Sequence, residues 1–166
     1  MADTLPELLG EFSAAPGRAV QAMEQAFGPC SFVYLYRIDD VAQAASRLKA
    51  EQSQSWHING AVLPLEPGPV AYDASLIDEY RAEAAEGNAT WCRWFKAEKI
   101  KPYRTDYETL SIDPPGRVRE LLCEVGLPVP QDVELSFSNQ RMANLESAAW
   151  AVRYRDERGI CTNVNT

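Results

Sequence analysis

FVYLYRIDDVAQAAS, the stretch from Phe32 to Ser46, predicts a strand that is followed at once by a helix. Its first half is a short apolar and aromatic run, which is typical of a buried strand. Its second half and the residues just after it have helical spacing, with apolar side chains at Val41, Ala44, Ala45 and Leu48. Asp39 or Asp40 is suited to cap the helix N-terminus. Arg37 is therefore expected in a strand-to-helix turn, the place where open α/β sheets bind ligands, with Ser46 about two turns into the helix.

Composition indicates an ordinary globular protein of acidic character. The chain has 166 residues, a net charge of -8 and a pI near 4.7. This length predicts a single domain over residues 1–166, with loose ends at 1–16 and 157–166. The acidic balance disfavours nucleic-acid and anionic-membrane binding, and no apolar run is long enough to span a membrane. Residues 1–10 lack the features of a secretory signal, so we expect a cytoplasmic protein.

The cysteines do not form a metal-binding pattern. Cys30, Cys92, Cys123 and Cys161 are widely spaced, and the chain has a single histidine. We therefore expect no metal site and reduced thiols, with one disulfide pair as the alternative.

Helices and strands are predicted in an order that indicates a parallel sheet with helical crossovers, an α/β fold. The predicted helices are a short one within 1–16 and those at 17–27, 40–54, 73–99, 114–125 and 145–156, the strands are 31–36 and 100–107, and 61–72 is a proline-rich loop. Asp113 is the expected N-cap of the fifth of these helices, and Gly126 its C-terminal stop. Gly87-Asn88 is a weak point of the long helix.

Several apolar side chains are expected in the core. These are Trp91, Trp94 and Phe95 in the long helix, and Ala148, Ala149, Trp150 and Val152 in the last helix. Arg153 and Arg155 are expected on a solvated face of that last helix.

Two strands are too few for an independent parallel sheet. Either weak strands lie within 1–30, 61–72 or 133–138, or the chain is part of something larger. An exposed sheet edge would favour a homo-oligomer or a partner chain that covers it.

Three motifs resemble the bacterial trehalose-type carbohydrate sulfotransferases, from about residue 20 to residue 156. They are YLYRIDDVAQAAS (34–46) with Trp56-His57 after it, YETLSIDP (107–114), and NQR (139–141) with the later Trp150 and Arg153-Tyr154-Arg155. The resemblance implies a P-loop-like three-layer fold with a small parallel sheet and flanking helices. It also implies transfer of a sulfuryl group from 3′-phosphoadenosine 5′-phosphosulfate (PAPS) to a hydroxyl of a small carbohydrate or glycolipid.

The same resemblance implies roles for four residues. Arg37 and Ser46 would hold the 3′-phosphate of PAPS, and Gln140 and Arg141 match a late nucleotide-binding loop. A guanidinium and a hydroxyl on a rigid strand-helix unit suit a phosphate. The alternatives are a surface serine at position 46 and an Arg37 that is solvated or paired with Asp39 or Asp40.

One part of the family pattern has no match. Sulfotransferases begin with a strand and a Gly/Ser-rich loop that holds the phosphosulfate, and residues 13–18 are the nearest, poor candidate. We therefore expect a sulfotransferase core whose N-terminal strand and loop are missing or divergent. Such a core is either an active transferase or an inactive one. The alternative is a non-catalytic nucleotide-binding or protein-interaction module on the same scaffold.

No catalytic residue is identified by the sequence. His57 is a candidate base or substrate contact, against a packed or helix-capping histidine. Glu108 is a candidate for orienting a group beneath the active site, against a helix or turn partner.

Overall fold

The computed structural model describes residues 18–53, 70–127, 129–130, 132–134 and 145–160, and it shows a mixed α/β chain. Its elements are α1 (Arg18–Phe27), β1 (Val33–Tyr36), α2 (Asp40–Ser53), α3 (Ala74–Ala97), β2 (Tyr103–Asp106), α4 (Tyr107–Ile112), α5 (Pro114–Glu124) and α6 (Leu145–Arg158). Within the described ranges, β1 and β2 form a two-stranded parallel sheet, which confirms the predicted class and strand direction. None of the described helices has the length and apolar character needed to cross a membrane.

The chain divides into two compact units. The first is Met1–Ile38 with Ala84–Ser136, and it holds α1, both strands, the later part of α3, α4 and α5. The second is Asp39–Glu83 with Phe137–Thr166, and it holds α2, the earlier part of α3, and α6. The expectation of one domain over the whole length stays a prediction, and the expected helix within 1–16 and loop at 61–69 lie outside the described residues.

The first unit has an aromatic core between β1 and α3. Tyr34 and Phe95 are buried, and their rings meet edge-on with centroids 5.6 Å apart. The Tyr34 hydroxyl donates to Asn88 Oδ1 at 2.8 Å, and α3 is continuous at the predicted weak point. Trp91 and Trp94 are half-buried and complete the ring cluster. Side chains alternate along a strand, so the opposite face of β1 carries Val33 and Leu35, which are exposed.

Two caps set the ends of α5 as the sequence predicts. Asp113 accepts a hydrogen bond from the Gly116 N–H at 3.0 Å, with proline in the first helical turn. Gly126 has φ +79°, a conformation that is favourable for glycine just past a helix end. Asp113 also ends α4, so α4 and α5 follow each other without a loop.

The second unit packs α2 against α6. Its core consists of Val41, Ala44, Ala45 and Leu48 from α2, Ile77 from α3, and Trp150, Ala151 and Tyr154 from α6. The predicted buried face of α2 is therefore confirmed. The predicted face of α6 is wrong in part, because Ala148, Ala149 and Val152 are exposed while Ser147, Ala151 and Tyr154 are buried.

Polar bonding explains how the Tyr154 ring enters that core. Tyr154 is fully buried, and its hydroxyl donates to Asp78 and accepts from Arg81 Nη1 at 3.0 Å. A tyrosine whose hydroxyl is hydrogen-bonded can be buried without the energetic cost of an unpaired polar group.

Candidate functional site

The carboxyl ends of β1 and β2 lie side by side in the first unit. The strands are parallel, and Tyr36 at the end of β1 pairs with Asp106 at the end of β2. Parallel strands in this register end at one edge of the sheet, so the residues that follow each strand come together. Arg37 follows β1, and Tyr107 and Glu108 open α4 directly after β2.

The Arg37 guanidinium contacts a carboxylate at its Nε–H and an aromatic ring near its Cζ. Its Nε donates to Glu108 Oε1 at 3.1 Å, and its Cζ lies 4.1 Å from the centroid of the Tyr107 ring. The side chains of Arg37 and Glu108 are 25% and 32% exposed, so the pair is partly shielded from solvent. Of the five N–H groups of Arg37, the Nε–H alone is hydrogen-bonded to another described residue. Both terminal NH₂ groups can therefore bind an anion in bidentate fashion.

Glu108 also bonds to the main chain beside Arg37. Its Oε2 accepts a hydrogen bond from the Ile38 N–H at 3.0 Å. One carboxylate therefore holds both the Arg37 side chain and the backbone that follows it. The alternative that Arg37 pairs with Asp39 or Asp40 is wrong, because parallel strand pairing brings Glu108, 71 residues away in sequence, to the guanidinium.

A cap positions the first turn of α4. Asp106 Oδ1 accepts from the Thr109 N–H at 2.7 Å, and this bond holds the pKa of Asp106 below its usual value. The predicted strand reached residue 107, but the strand ends at Asp106 because Asp106 caps a helix that begins at Tyr107. The cap fixes Tyr107 and Glu108 on a helical turn next to the end of β1.

Ser46 lies in the second unit, on α2, and its side chain is half-buried. It directly follows Ala44 and Ala45 of the buried face. Asp39 caps this helix, since its Oδ1 accepts from the Ala42 N–H at 2.9 Å. The sequence left the capping residue open between Asp39 and Asp40, and the structure identifies Asp39.

The prediction that Arg155 lies on a solvated face of α6 is wrong. Arg155 Nη2 donates to both oxygens of Asp39, at 2.6 and 2.7 Å, and its side chain is 15% exposed. Arg153 on the same helix is 60% exposed, as expected, and pairs with Glu157. Helical spacing alone could not separate these two, because the partner of Arg155 comes from the start of α2.

The remaining candidates divide by location. Arg37 and Glu108 come together in the first unit, whereas Ser46 belongs to the second unit, and its joint role with Arg37 stays a prediction. His57, Gln140 and Arg141 lie outside the described residues. The sequence did not anticipate the contact of Tyr107 with Arg37. A signal for it existed, since Tyr107-Glu108 directly follows the second predicted strand.

Comparison with known proteins gives the same family in two ways. A family model described as Stf0 sulphotransferase matches residues 1–157. The chain is 31% identical to the trehalose 2-sulfotransferase of Mycobacterium tuberculosis over 128 residues, which cover 76% of this chain and 46% of that protein. It is 28% identical to the trehalose 2-sulfotransferase of Mycolicibacterium smegmatis over 126 residues, which cover 74% of this chain and 45% of that protein. The chain thus spans about half the length of these relatives.

Proposed function

The chain belongs to the Stf0 sulfotransferase family, and from this membership we propose that it binds PAPS and takes part in sulfuryl transfer to a carbohydrate hydroxyl. The observation that carries the proposal is the Arg37 guanidinium at the carboxyl end of β1. Its Nε–H is bound by Glu108, and no residue in the described part of the chain is hydrogen-bonded to its terminal NH₂ groups, which leaves them for an anion. A planar fork of this kind suits a phosphate better than a flexible ammonium does.

In this proposal Arg37 and Ser46 bind the 3′-phosphate of the nucleotide. The guanidinium supplies two parallel N–H donors, and the serine hydroxyl supplies a third. Gln140 and Arg141 are proposed to contact the same nucleotide, on the resemblance of their segment alone. The overall acidic charge does not oppose this, because a local guanidinium outweighs distant carboxylates that salt screens.

The reaction would transfer the sulfuryl group in line. A bond forms between the acceptor hydroxyl oxygen and sulfur as the bond from sulfur to the bridging phosphate oxygen breaks. The hydroxyl proton passes to a base, and adenosine 3′,5′-bisphosphate leaves. Binding the 3′-phosphate would contribute by positioning, the main source of rate in transfers of this kind. His57 stays the candidate base, since the bonds of Glu108 to Arg37 and Ile38 favour an orienting role for that carboxylate.

The acceptor is proposed to be a small carbohydrate or a glycolipid sugar. Both relatives are named for trehalose, which makes this disaccharide the first acceptor to test. The runner-up function is a nucleotide-binding module that has no transferase activity.

Calorimetry with adenosine 3′,5′-bisphosphate tests the binding step. We expect the wild-type chain to bind it and Arg37→Ala to weaken binding by about 10- to 100-fold, because charged hydrogen bonds are lost. Arg37→Lys should recover only part, since lysine lacks the fork. Arg117→Ala is the matched control, because Arg117 lies in the same unit in an exposed pair with Glu120. Absence of binding, or full binding by Arg37→Ala, would contradict the proposal.

Transfer from sulfur-labelled PAPS to trehalose separates the two functions. Labelled sugar that is lost in Arg37→Ala would support the transferase. Nucleotide binding that depends on Arg37, without any labelled product from a panel of sugars, would support the non-catalytic module instead.

A further inference from the structure

We propose that Glu108 is a positioning residue, which orients Arg37 so that the site discriminates 3′-phosphorylated nucleotides from those without a 3′-phosphate. The inference rests on the proposed function, since it assumes that Arg37 binds the nucleotide. It adds a role for the Tyr-Glu pair at the start of α4, which the binding of phosphate by Arg37 and Ser46 does not require.

The first step is the geometry of the guanidinium. An arginine offers five N–H groups in a plane, and an anion can approach at the Nε edge or at the end formed by the two NH₂ groups. Glu108 Oε1 occupies the Nε edge at 3.1 Å, and Arg37 Cζ lies over the Tyr107 ring, 4.1 Å from its centroid. An incoming phosphate is therefore directed to the terminal NH₂ groups, where it can bind in bidentate fashion.

The second step is the anchoring of Glu108. Its other oxygen accepts a hydrogen bond from the Ile38 N–H at 3.0 Å. The carboxylate therefore cannot rotate without breaking this hydrogen bond to the main chain. The turn that carries it is fixed by the Asp106 cap on the Thr109 N–H. The Arg37 side chain thus loses little further conformational freedom when a phosphate binds, which strengthens binding.

The third step is that positioning and charge predict opposite effects on phosphate binding when Glu108 is removed. A carboxylate beside Arg37 repels a phosphate dianion, so on charge alone its removal should tighten binding of the 3′-phosphate. If orientation dominates, its removal should weaken binding. A single substitution therefore decides between the two effects.

The test is the dissociation constant of two probes, adenosine 3′,5′-bisphosphate and adenosine 5′-monophosphate, for wild type and Glu108→Ala. We expect Glu108→Ala to bind the bisphosphate about tenfold more weakly, the loss that follows from one charged hydrogen bond, and the monophosphate within about twofold of wild type. Glu108→Gln keeps one side-chain oxygen as an acceptor, so its dissociation constant for the bisphosphate should lie between those of wild type and Glu108→Ala. It also serves if Glu108→Ala does not fold. Glu120→Ala, from the exposed pair with Arg117, should leave both constants unchanged.

The double variant shows whether the effect passes through Arg37. In an Arg37→Ala background, Glu108→Ala should weaken bisphosphate binding no further, because the group that it positions is gone. Tighter binding in Glu108→Ala, an equal loss for both nucleotides, or an additive loss in the double variant would overturn the inference while leaving the proposed function intact. A wild-type chain that does not bind the bisphosphate, or an Arg37→Ala variant that binds it fully, overturns both.

Discussion

In the second unit, the ion pair of Arg155 with Asp39 links α6 to the start of α2. Asp39 accepts from Arg155 and from the Ala42 N–H at the start of α2. We predict that Arg155→Ala lowers the free energy of unfolding by about 1 kcal/mol or more, because it removes a charged hydrogen bond to both carboxylate oxygens of Asp39. Arg153→Ala, in an exposed pair on the same helix, should cost less than about 0.5 kcal/mol. Urea unfolding midpoints measure both, and equal losses would contradict the difference in burial.

Tyr80 should titrate far above an ordinary phenol. Its hydroxyl donates to Glu51, and this bond together with burial raises the pKa of Tyr80 to about 12. Glu51→Gln removes the carboxylate, so the pKa of Tyr80 should move back towards 10. The ring NMR signal of each tyrosine, followed through an alkaline titration, reports this change residue by residue. Tyr72, with a pKa raised to about 12 by burial and by Glu157, is the internal control and should not move.

The α2–α6 pair gives the strongest prediction about an element. Leu48 lies fully buried on the inner face of α2, whereas Leu145 at the start of α6 is 92% exposed. Leu48→Ala leaves a cavity and should cost about 2–5 kcal/mol in unfolding free energy. Leu145→Ala changes the same side chain with almost no change in burial, and it should cost less than about 0.5 kcal/mol. Comparable losses in chemical denaturation would mean that the helices do not pack through this face.

The same elements show how far local pattern reaches. The apolar spacing of α2 and the caps of α5 are local features, and both were predicted correctly. The short α4 was missed because Asp106 reads equally as a strand residue and as an N-cap. In α6 the small residues Ala148 and Ala149 fit a buried face as well as Ala151 does. The buried face of α6 is determined by Tyr154, whose hydroxyl hydrogen-bonds to Asp78 and Arg81 on α3. The sequence of α6 alone does not contain that information.

Across the chain as a whole, the candidate site depends on which strands pair. The sequence placed Arg37 correctly at the end of β1, because an apolar run followed by helical spacing is enough for that. Its pairing with Glu108 follows from the parallel register of β1 and β2, and register is a property of two distant segments. For the same reason the sequence could name Glu108 as an orienting candidate but could not name Arg37 as the group that it orients.

Acid should destabilise the whole protein. Within the described residues, hydrogen bonds are the largest cause that lowers the pKa of the carboxyls of Glu51, Asp78, Glu86, Asp106 and Glu157. A carboxyl with a lowered pKa binds fewer protons folded than unfolded, so its contribution is present above its ordinary pKa, about 4, and is lost as pH falls further. The net charge of -8 acts in the opposite direction, because partial protonation relieves self-repulsion.

The slope of stability against pH decides which of these effects is larger. We expect the urea midpoint to be level from about pH 6 to 8 and to fall between about pH 5 and 3, because each of these carboxylates loses a specific bond. High salt screens self-repulsion more than it weakens short hydrogen bonds, so the fall should persist in about 1 M sodium chloride. A midpoint that rises on acidification at low salt, and becomes level at high salt, would show that net charge outweighs the bonded carboxylates.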